Sequence, residues 1–381
     1  MGRIRYLGVN DYEIDLFEGL YKVENGVAYN SYAIIDEKIA IMDTVEAKFK
    51  TLWLKNIEKE LNGKEPSYLI IHHMEPDHSS NIMAFMEKYK NAQIVATEKA
   101  FSMINQFFGS CYKGRGIVVK EKDTLCLGES TLTFYQAPMV HWPEVMVSFE
   151  EATGTLFSAD AFGKFGALDV NEDWACEARR YYFGIVGKYG AQVSNLLNKL
   201  KDLKITKICP LHGPILENNL DYYVNLYKTW SSYEAEEKGC FIAYSSVYGN
   251  TKKAAEALYY ELQKCNMTCE ILDIARCDIY EAIENAFKYD KMVIASTTYN
   301  GDLFPPVREL LYELVSRNYQ KRKIGIIENG TWAPMVGKEI IKRLENSKEI
   351  EYYKNRVVIK SALTPEGYMQ IGMLADEICE N

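Results

Sequence analysis

The strongest constraint on how this chain can fold is a set of histidines and carboxylates, each of which follows a short apolar run. The sequence HMEPDH follows the run 67–71, and the other members follow the runs 132–134, 155–157 and 207–209. Short apolar runs of this kind predict strands, and loops that leave one edge of a sheet converge on one site. Seven side chains are thereby predicted to meet: His73, Glu75, Asp77, His78, His141, Asp160 and His212.

These side chains offer four imidazoles and three carboxylates, which is more than one metal ion can use, so two ions are predicted. Structural zinc sites are four-coordinate and often thiolate-rich, whereas imidazoles and carboxylates with open positions suit iron that binds and reduces a small ligand. A carboxylate between the two groups of ligands can bridge the ions, and Asp160 is the expected bridge. A single histidine is more often a packed or surface residue, but the shared placement after separate strands favours a metal site. His72 would point to the other side of its strand and is predicted to be structural.

A charged stretch at residues 232–239 separates two differently organised halves and precedes an abrupt apolar strand. We therefore predict two domains, residues 1–238 and 239–381, in a chain whose length and 48% hydrophobic content allow two cores. The first half alternates β-rich runs with helices, which predicts a mixed sheet with helices outside. The second half repeats strand, turn and helix, and its continuous apolar strands predict a doubly wound parallel sheet.

Three loops of the second half are candidates for a flavin site. The sequence SSVYGNT joins a strand to a helix, and hydroxyls and amides at a helix N-terminus bind phosphate, although this loop alone is equally compatible with a capping turn. It lacks the GxGxxG and GxxxxGK[ST] patterns, so a single terminal phosphate such as that of FMN fits it. Two more loops follow predicted strands, and Tyr299 and Trp332 are expected to flank the flavin ring. The candidate residues are Ser245, Ser246, Val247, Tyr248, Gly249, Asn250, Thr251, Thr297, Thr298, Tyr299, Asn300, Gly301, Asn329, Gly330, Thr331 and Trp332.

The composition limits the classes of binding partner and the cellular location that we expect. A net charge of -9 gives no reason to expect nucleic acid or an anionic membrane as partner, because both would repel an acidic surface. No apolar run approaches the roughly 20 residues that span a bilayer, and the first residues lack the apolar core of a secretion signal, so we expect a soluble cytoplasmic protein. The nine cysteines are scattered and include no CxxC pair, which argues against a disulfide framework and an appended rubredoxin. They are expected to be mostly buried, reduced thiols.

The motifs together resemble those of one family. HMEPDH, with HWP at 141–143, LFSADAFG at 156–163 and PLHG at 210–213, resembles the metallo-β-lactamase-like domain of flavodiiron proteins, and the second half resembles a flavodoxin domain. The resemblance covers essentially the whole chain and implies an α/β protein in which an αββα sandwich precedes a flavodoxin-like doubly wound sheet. Hydrolases of this fold ordinarily carry zinc and another histidine where this chain has Glu75. By resemblance, His73, Glu75 and His141 hold the iron nearer the flavin, Asp77, His78 and His212 hold the other, and Asp160 bridges them.

The resemblance also implies a function. It predicts an oxidoreductase that uses FMN and two non-haem iron ions to reduce dioxygen to water or nitric oxide to nitrous oxide, with dioxygen the preferred prediction. It implies a head-to-tail homodimer, or a dimer of such dimers, in which the FMN of one subunit faces the irons of the other. Because the chain has no rubredoxin-type CxxC pair, electrons are expected from a separate donor, rubredoxin or a similar carrier. Some relatives take electrons directly from a reduced deazaflavin, which is a further alternative.

Two other functions remain open at this stage. A binuclear zinc hydrolase fused to a flavodoxin domain would use a metal-bound hydroxide to attack an ester or amide, and Glu75 argues against it. A non-catalytic electron carrier with a vestigial first domain is the second alternative, and the complete set of seven ligands argues against that. Metal analysis addresses the first alternative, and the activity of an Asp160→Asn variant addresses the second.

Overall fold

The computed structural model describes residues 3–110, 112 and 114–380. The chain forms two compact units. The first comprises Met1–Tyr182 and Ala191–Lys228, and the second comprises Phe183–Gly190 and Thr229–Asn381.

This division differs from a single boundary at Lys238 because two segments of the first half pack with the second unit. The Tyr233 hydroxyl donates a hydrogen bond to the Gly187 carbonyl at 2.9 Å, and the Arg322 guanidinium donates to the Tyr233 carbonyl at 2.8 Å. The aromatic rings of Phe183 and Phe287 stack with centroids 3.9 Å apart. These contacts join residues far apart in the chain, so the local charge pattern does not reveal them.

The first unit contains short strands and helices that alternate along the chain. Its strands are β1 (Arg3–Tyr6), β2 (Val9–Asp11), β3 (Leu16–Phe17), β4 (Tyr21–Lys22), β5 (Val27–Tyr29), β6 (Tyr32–Ile35), β7 (Ala40–Met42), β8 (Tyr68–Ile70), β9 (Gln93–Ala96), β10 (Gly116–Val118), β11 (Thr124–Cys126), β12 (Thr131–Gln136), β13 (Met146–Glu150), β14 (Thr155–Phe157) and β15 (Lys207–Cys209). Its helices are α1 (Lys50–Leu61), α2 (Pro76–Ser79), α3 (Ile82–Lys88), α4 (Glu98–Phe108), α5 (Trp174–Tyr181), α6 (Gly190–Leu200) and α7 (Leu220–Ser231). A 3-10 turn, Ala47–Phe49, precedes α1, and a π-helical turn, Tyr182–Val186, and a 3-10 turn, Gly187–Tyr189, lie between α5 and α6.

Two mixed sheets of the first unit enclose its core. The strand order is β1-β6-β7-β8-β9-β10 in one sheet and β11-β12-β13-β14-β15 in the other. Buried side chains from both sheets form one apolar cluster in which Met42 and Ile70 lie with Phe134 and Phe157. Burial of each large apolar side chain contributes roughly 1.5–3 kcal/mol, which is why the two sheets stay packed. The predicted αββα sandwich is confirmed.

The second unit is a doubly wound sheet with helices on its faces. Its strands are β16 (Glu237–Tyr244), β17 (Cys269–Asp273), β18 (Tyr289–Tyr299), β19 (Asp302–Leu303), β20 (Arg322–Asn329), β21 (Ile350–Tyr352) and β22 (Val357–Ile359). Its helices are α8 (Asn250–Lys264), α9 (Ile279–Lys288), α10 (Pro305–Ser316), α11 (Val336–Arg343) and α12 (Pro365–Cys379). The order is β17-β16-β18-β20, β21 and β22 both pair with β20, and all of these pairs are parallel. Only β19, on β18, is antiparallel among the described pairs of this unit. The predicted flavodoxin-like topology is confirmed.

The cysteines differ from the expectation of mostly buried, free thiols. Cys265 and Cys379 form a disulfide that joins the ends of α8 and α12. Among the described free cysteines, Cys209 and Cys240 are buried and Cys126 is exposed, while Cys111 lies outside the described residues. The pairing depends on two helix ends that meet only in the folded chain, so cysteine spacing does not predict it. Within the described ranges, no helix combines the length and the apolar character that a membrane span requires.

Candidate functional site

The loop after β8 is positioned by buried hydrogen bonds from the neighbouring strand. The Asp43 carboxylate accepts the backbone N–H groups of His72 at 2.7 Å and of His73 at 3.3 Å. The loop then turns into α2, where Glu75 is the N-cap residue and Pro76 occupies the first turn. Proline is suited to this position because its ring fixes φ at a helical value. The short helix therefore presents Asp77 and His78 directly beyond Glu75.

Four of the predicted ligands form one set of donor atoms. His73 Nε2 lies 3.1 Å from Glu75 Oε2 and 3.3 Å from His141 Nε2. His141 Nε2 lies 3.1 Å from both Glu75 Oε2 and Asp160 Oδ2. All four donor atoms are within 4.8 Å of one another. The loops after β8, β12 and β14 therefore converge as the sequence predicts.

The other three predicted ligands form a second set beside the first. His78 Nε2 and His212 Nε2 are 2.9 Å apart, and each is 3.3 Å from Asp77 Oδ2. The second oxygen of Asp160, Oδ1, lies 3.8 Å from His78 Nε2 and 4.0 Å from His212 Nε2. Asp160 thus directs one carboxylate oxygen to each set, which is the arrangement of a bridging carboxylate.

The donor atoms fit two cations. Ligand atoms that are each about 2.1 Å from an ion lie about 3.0–3.4 Å apart in octahedral or tetrahedral geometry, and the separations in the first set fall in this range. Both Asp77 oxygens and Asp160 Oδ1 are buried and have no hydrogen-bond partner among the described residues. Carboxylate oxygens that are buried without a hydrogen bond are costly, and the imidazoles beside them offset only part of that cost. Cations at the two sets would satisfy these oxygens.

The Nδ1 atoms of the proposed histidine ligands differ in their hydrogen-bond partners. His73 Nδ1 lies 3.0 Å from Glu144 Oε1, which also accepts the backbone N–H of Met74 at 2.8 Å. His212 Nδ1 lies 2.8 Å from the carbonyl oxygen of Ala28, an acceptor, so it must carry its proton there. His78 Nδ1 is buried with no partner among the described residues. Partners of this kind fix the tautomer and leave Nε2 free to bind a metal. Glu144 follows the HWP motif directly, but nothing in its spacing singled it out.

The charges of the site are mutually compensating when no metal is bound. Burial opposes protonation of His73 and His141, yet the Asp160 and Glu75 carboxylates raise the pKa of His73 well above its ordinary value and that of His141 to about 9. Burial likewise disfavours the ionised carboxyls, but the two imidazoles lower the pKa of Glu75 and of Asp160. Burial and the adjacent His212 lower the pKa of His78. Ionised carboxylates beside imidazoles that can release protons form a strong binding set for divalent cations.

Side chains that the sequence did not single out lie beside both sets, with aromatic rings at the second set and one carboxyl group near the first. The Phe17 ring meets the His212 ring edge-on at 5.3 Å, and the Tyr181 ring lies 5.5 Å from it. Both rings are buried, so they exclude bulk water from this side of the site. Partial burial and the Glu75 carboxylate raise the pKa of Glu18, which follows Phe17 in the β3–β4 turn, to about 8. Phe17 and Glu18 come from β3 and the turn that follows it, and Tyr181 comes from the end of α5, so no ligand motif marks them.

The predicted phosphate loop has the features of an anion site. Gly249 is the N-cap residue of α8, with a φ of 88° and no side-chain capping hydrogen bond, which leaves amides of the first turn for another acceptor. The buried Ser245 hydroxyl has no partner among the described residues. Ser246 Oγ accepts the Gly249 amide at 3.0 Å and shapes the turn. An open helix N-terminus beside an unsatisfied hydroxyl fits the phosphate of FMN.

The predicted flavin residues lie at the carboxyl ends of the adjacent parallel strands β16, β18 and β20, so they share one edge of the sheet. The sequence predicted loops here, but Thr297, Thr298 and Tyr299 are the last residues of β18, and Asn329 is the last residue of β20. Tyr248 and Trp332 are 93% and 90% exposed, and Tyr299 is 45% exposed. The Tyr299 ring also meets the Phe304 ring edge-on at 5.4 Å. Exposed large rings at the ends of three neighbouring strands suit a planar aromatic ligand. The rings therefore fit the isoalloxazine of FMN.

Some of the predicted flavin residues form hydrogen bonds with other residues of the chain. Thr298 Oγ1 accepts the Met335 amide at 3.0 Å, and the Asn329 side chain exchanges hydrogen bonds with the backbone of Ser361. Thr331 Oγ1 is 2.9 Å from Ser361 Oγ. The loop after β22 is thus a fourth component of this edge, and only its place after a strand marks it in the sequence.

Models of two known protein families match the chain, one for each unit. Residues 27–213 match the model of the ODP family beta lactamase, and residues 241–355 match that of a flavodoxin domain. The two matches cover the metal-binding candidates and the first three flavin loops.

Full-length relatives extend the comparison to most of the chain. An anaerobic nitric oxide reductase flavorubredoxin of Vibrio vulnificus is 26% identical over 96% of this chain and 75% of its own length. A nitric oxide reductase of Moorella thermoacetica is 28% identical over 85% of this chain and 83% of its own length. The structure of rubredoxin oxygen:oxidoreductase from Desulfovibrio gigas superimposes with a TM-score of 0.90 at 25% identity, covering 99% of this chain and 96% of that one. With both domains and their order matched in these relatives, the chain belongs to the flavodiiron family of oxidoreductases.

Proposed function

We propose that this protein reduces dioxygen to water, nitric oxide to nitrous oxide, or both, with FMN and a diiron centre as cofactors. The observation that carries the proposal is the pair of adjoining donor sets that share Asp160. The similarity to nitric oxide reductases and to an oxygen oxidoreductase supports it. When bound, two iron ions supply positions for a diatomic ligand, and FMN stores and transfers electrons.

The residues of the chain have separate tasks in this proposal. His73, Glu75 and His141 would hold one ion, Asp77, His78 and His212 would hold the other, and Asp160 would keep the two at a fixed separation. Phe17 and Tyr181 shield the second position from water. In the second unit, the amides of the first turn of α8 would hold the FMN phosphate, and Tyr248, Tyr299 and Trp332 would cover the ring.

We also propose that a carrier such as rubredoxin delivers the electrons, and the similarity to a rubredoxin oxygen:oxidoreductase supports this. The family resemblance further supports a head-to-tail homodimer in which the FMN of one subunit serves the irons of the other. The molar mass in solution, measured by light scattering, distinguishes this dimer from a monomer. A monomer that is fully active would contradict the arrangement.

The proposed function predicts activity with two cofactors present and none without them. Protein loaded with iron and FMN and reduced under anaerobic conditions is expected to consume dioxygen, nitric oxide or both in separate electrode assays. Elemental analysis is expected to give about two iron ions per chain. Two zinc ions together with ester or amide hydrolysis would favour the binuclear hydrolase instead, and inactivity of the iron-loaded, FMN-loaded protein with both gases would contradict the proposal.

A further prediction concerns Glu144, which contacts the proposed ligand His73. Among the described residues, it is the only carboxylate found to accept a hydrogen bond from the Nδ1 atom of a proposed ligand. Replacing it with glutamine keeps the shape but removes the charge that makes His73 electron-rich. The affinity for a divalent metal, measured by competition with a chelator, is expected to fall by about 10-fold or more. Glu98→Gln, a neutralisation at a nearby exposed position, is the matched control. Equal affinities of the two variants would remove this role from Glu144.

A further inference from the structure

Cys265 and Cys379 lie at the far ends of two packed helices of the second unit. Cys265 is the C-cap residue of α8, and Cys379 is the last residue of α12. Their Cα atoms are 6.4 Å apart and the two sulfurs are joined, although 114 residues separate them in the chain. A Cα separation of this size is within the range that a disulfide spans.

The disulfide is accessible from outside the molecule. Cys265 is exposed and Cys379 is half-buried. Both line a cavity of about 260 Å³, together with Lys238, Lys291, Asn266 and Thr268. The buried cysteines differ, because burial raises the pKa of the Cys209 thiol to about 12 and keeps it unreactive. The pair is therefore the one place in the described second unit where a solution thiol has a cavity that leads to a disulfide.

The charges around the cavity favour thiolate chemistry. The ammonium groups of Lys238 and Lys291 lie 3.0 Å and 2.9 Å from the same oxygen of Asp290. Two cations that share one carboxylate leave a net positive charge among these three side chains, and both lysines line the cavity together with the two cysteines. Positive charge stabilises an attacking thiolate and a departing one.

The two helices link this pair to the candidate flavin loops. The first turn of α8 follows the phosphate loop, and α12 begins after the Ser361 loop, which is bonded to Asn329 and Thr331. Between their ends, the helices pack through a shared apolar cluster that includes Leu258 and Leu374. A covalent link at the far ends thus restrains two helices whose near ends border the proposed FMN site.

We propose that Cys265 and Cys379 are a thiol–disulfide exchange site for a low-molecular-weight thiol, independent of the gas-reducing centre. A thiolate of the small thiol attacks the Cys265 sulfur, the bond to Cys379 breaks, and Cys379 leaves as a thiolate that takes a proton from water. A second small thiolate attacks the small-molecule sulfur of the mixed disulfide and releases the Cys265 thiolate, which is then protonated. Overall, two small thiols give two electrons and two protons to the protein, and become one small disulfide.

The proposal is tested on the full-length, cofactor-loaded protein with glutathione as the probe. After incubation with oxidised glutathione, mass spectrometry of alkylated digests is expected to find the Cys265 and Cys379 peptides linked. After incubation of the folded protein with reduced glutathione, both are expected to be alkylated, and the midpoint of thermal unfolding is expected to fall by about 5–15 °C. Cys265→Ser should show no such redox-dependent shift, whereas Cys126→Ser, which changes an exposed unpaired thiol, should keep it.

Two results would overturn the proposal. One is complete alkylation of both cysteines in the oxidised protein, since no disulfide would then form. The other is a disulfide that excess reduced glutathione opens only after denaturation, since no exchange would then occur in the folded protein. The contribution of the charged cavity is tested with the variant Lys238→Glu. The rate at which anionic glutathione reduces the disulfide is expected to fall about 3- to 10-fold in this variant. The rate with uncharged 2-mercaptoethanol is expected to change less. Equal slowing by both thiols would remove the charged cavity from the proposal.

Discussion

Replacing Asp160 with asparagine is expected to lower the consumption of dioxygen or nitric oxide by at least about 100-fold. Loss of a residue that only supports a ligand costs 10–100-fold in metal affinity or activity, and Asp160 faces both donor sets with its two oxygens. Asparagine has the same shape but no charge, and its amide nitrogen cannot bind a cation. One change therefore weakens both metal positions.

The control for this experiment is Asp202→Asn, which neutralises an exposed carboxylate in a surface turn of the same unit. Iron per chain, by elemental analysis, is expected to fall in Asp160→Asn and to remain unchanged in the control. FMN content, by absorbance, is expected to be the same in both because the flavin loops belong to the other unit. If Asp160→Asn consumed gas as fast as the unaltered protein, the diiron proposal would fail and a carrier with a vestigial first domain would be preferred.

The strands that lead into the metal site could be predicted because each is a continuous apolar run that ends next to a histidine or carboxylate. The run 67–71 corresponds to β8, and 155–157 and 207–209 correspond to β14 and β15. The side chains then meet because β14 and β15 are parallel neighbours, so the loops that follow them leave the same edge. Geometry of this kind follows from strand periodicity and direction alone.

The groups that support the ligands could not be predicted in the same way. Asp43 and Ser148 bond the two nitrogens of His72 at 2.5 Å and 2.8 Å, and these three residues come from three separate strands or strand ends. Their pairing depends on how two sheets are stacked, which local periodicity does not contain. The same reason applies to Tyr181 near His212 and to the contact between Cys265 and Cys379. Long-range side-chain packing, not strand order, determines these positions.

The N-terminal strands were missed for a different reason. The elements β2 to β5 contain two or three residues each, which is too short for alternation to be recognised. They are stabilised by contacts formed after folding, such as those of Phe17 with Phe165 and His212. Tertiary packing overrides weak local preference here, and it places the Phe17 turn beside the metal site.

The second large effect is the dependence of the free energy of unfolding on pH. Its direction is expected to reverse when the metal is removed. In the metal-free protein the pKa of His141 is about 9, above its ordinary value of 6.5. A group whose pKa is raised by folding contributes stability that is fully present below its unfolded pKa and is lost as pH rises through its folded pKa. The free energy of unfolding is therefore expected to fall by roughly 3 kcal/mol between pH 6.5 and 9.

Other groups of the site act in the same window or below it. The raised pKa values of His73 and of Glu18 add to the loss of stability as pH increases, whereas the lowered pKa of His78 opposes it. The lowered pKa values of Glu75 and Asp160 contribute stability above their ordinary range near pH 4, which is lost as pH falls. Stability of the metal-free protein is thus expected to be greatest between about pH 5 and 6.5.

Bound metal should change this profile because it replaces the protons on the imidazoles. Binding requires neutral histidines, so acid competes with the metal, and the free energy of unfolding of the metal-loaded protein is expected to increase from about pH 5.5 to 7.5, where the histidines of the unfolded chain lose their protons. Urea unfolding at pH 6, 7.5 and 9, on chelator-treated and metal-loaded protein, measures both profiles. Metal-free stability that stayed constant or increased over this range would show that His141 and His73 are not held as imidazolium ions by Asp160 and Glu75. Such a result would also remove the electrostatic argument that these carboxylates are arranged to receive cations.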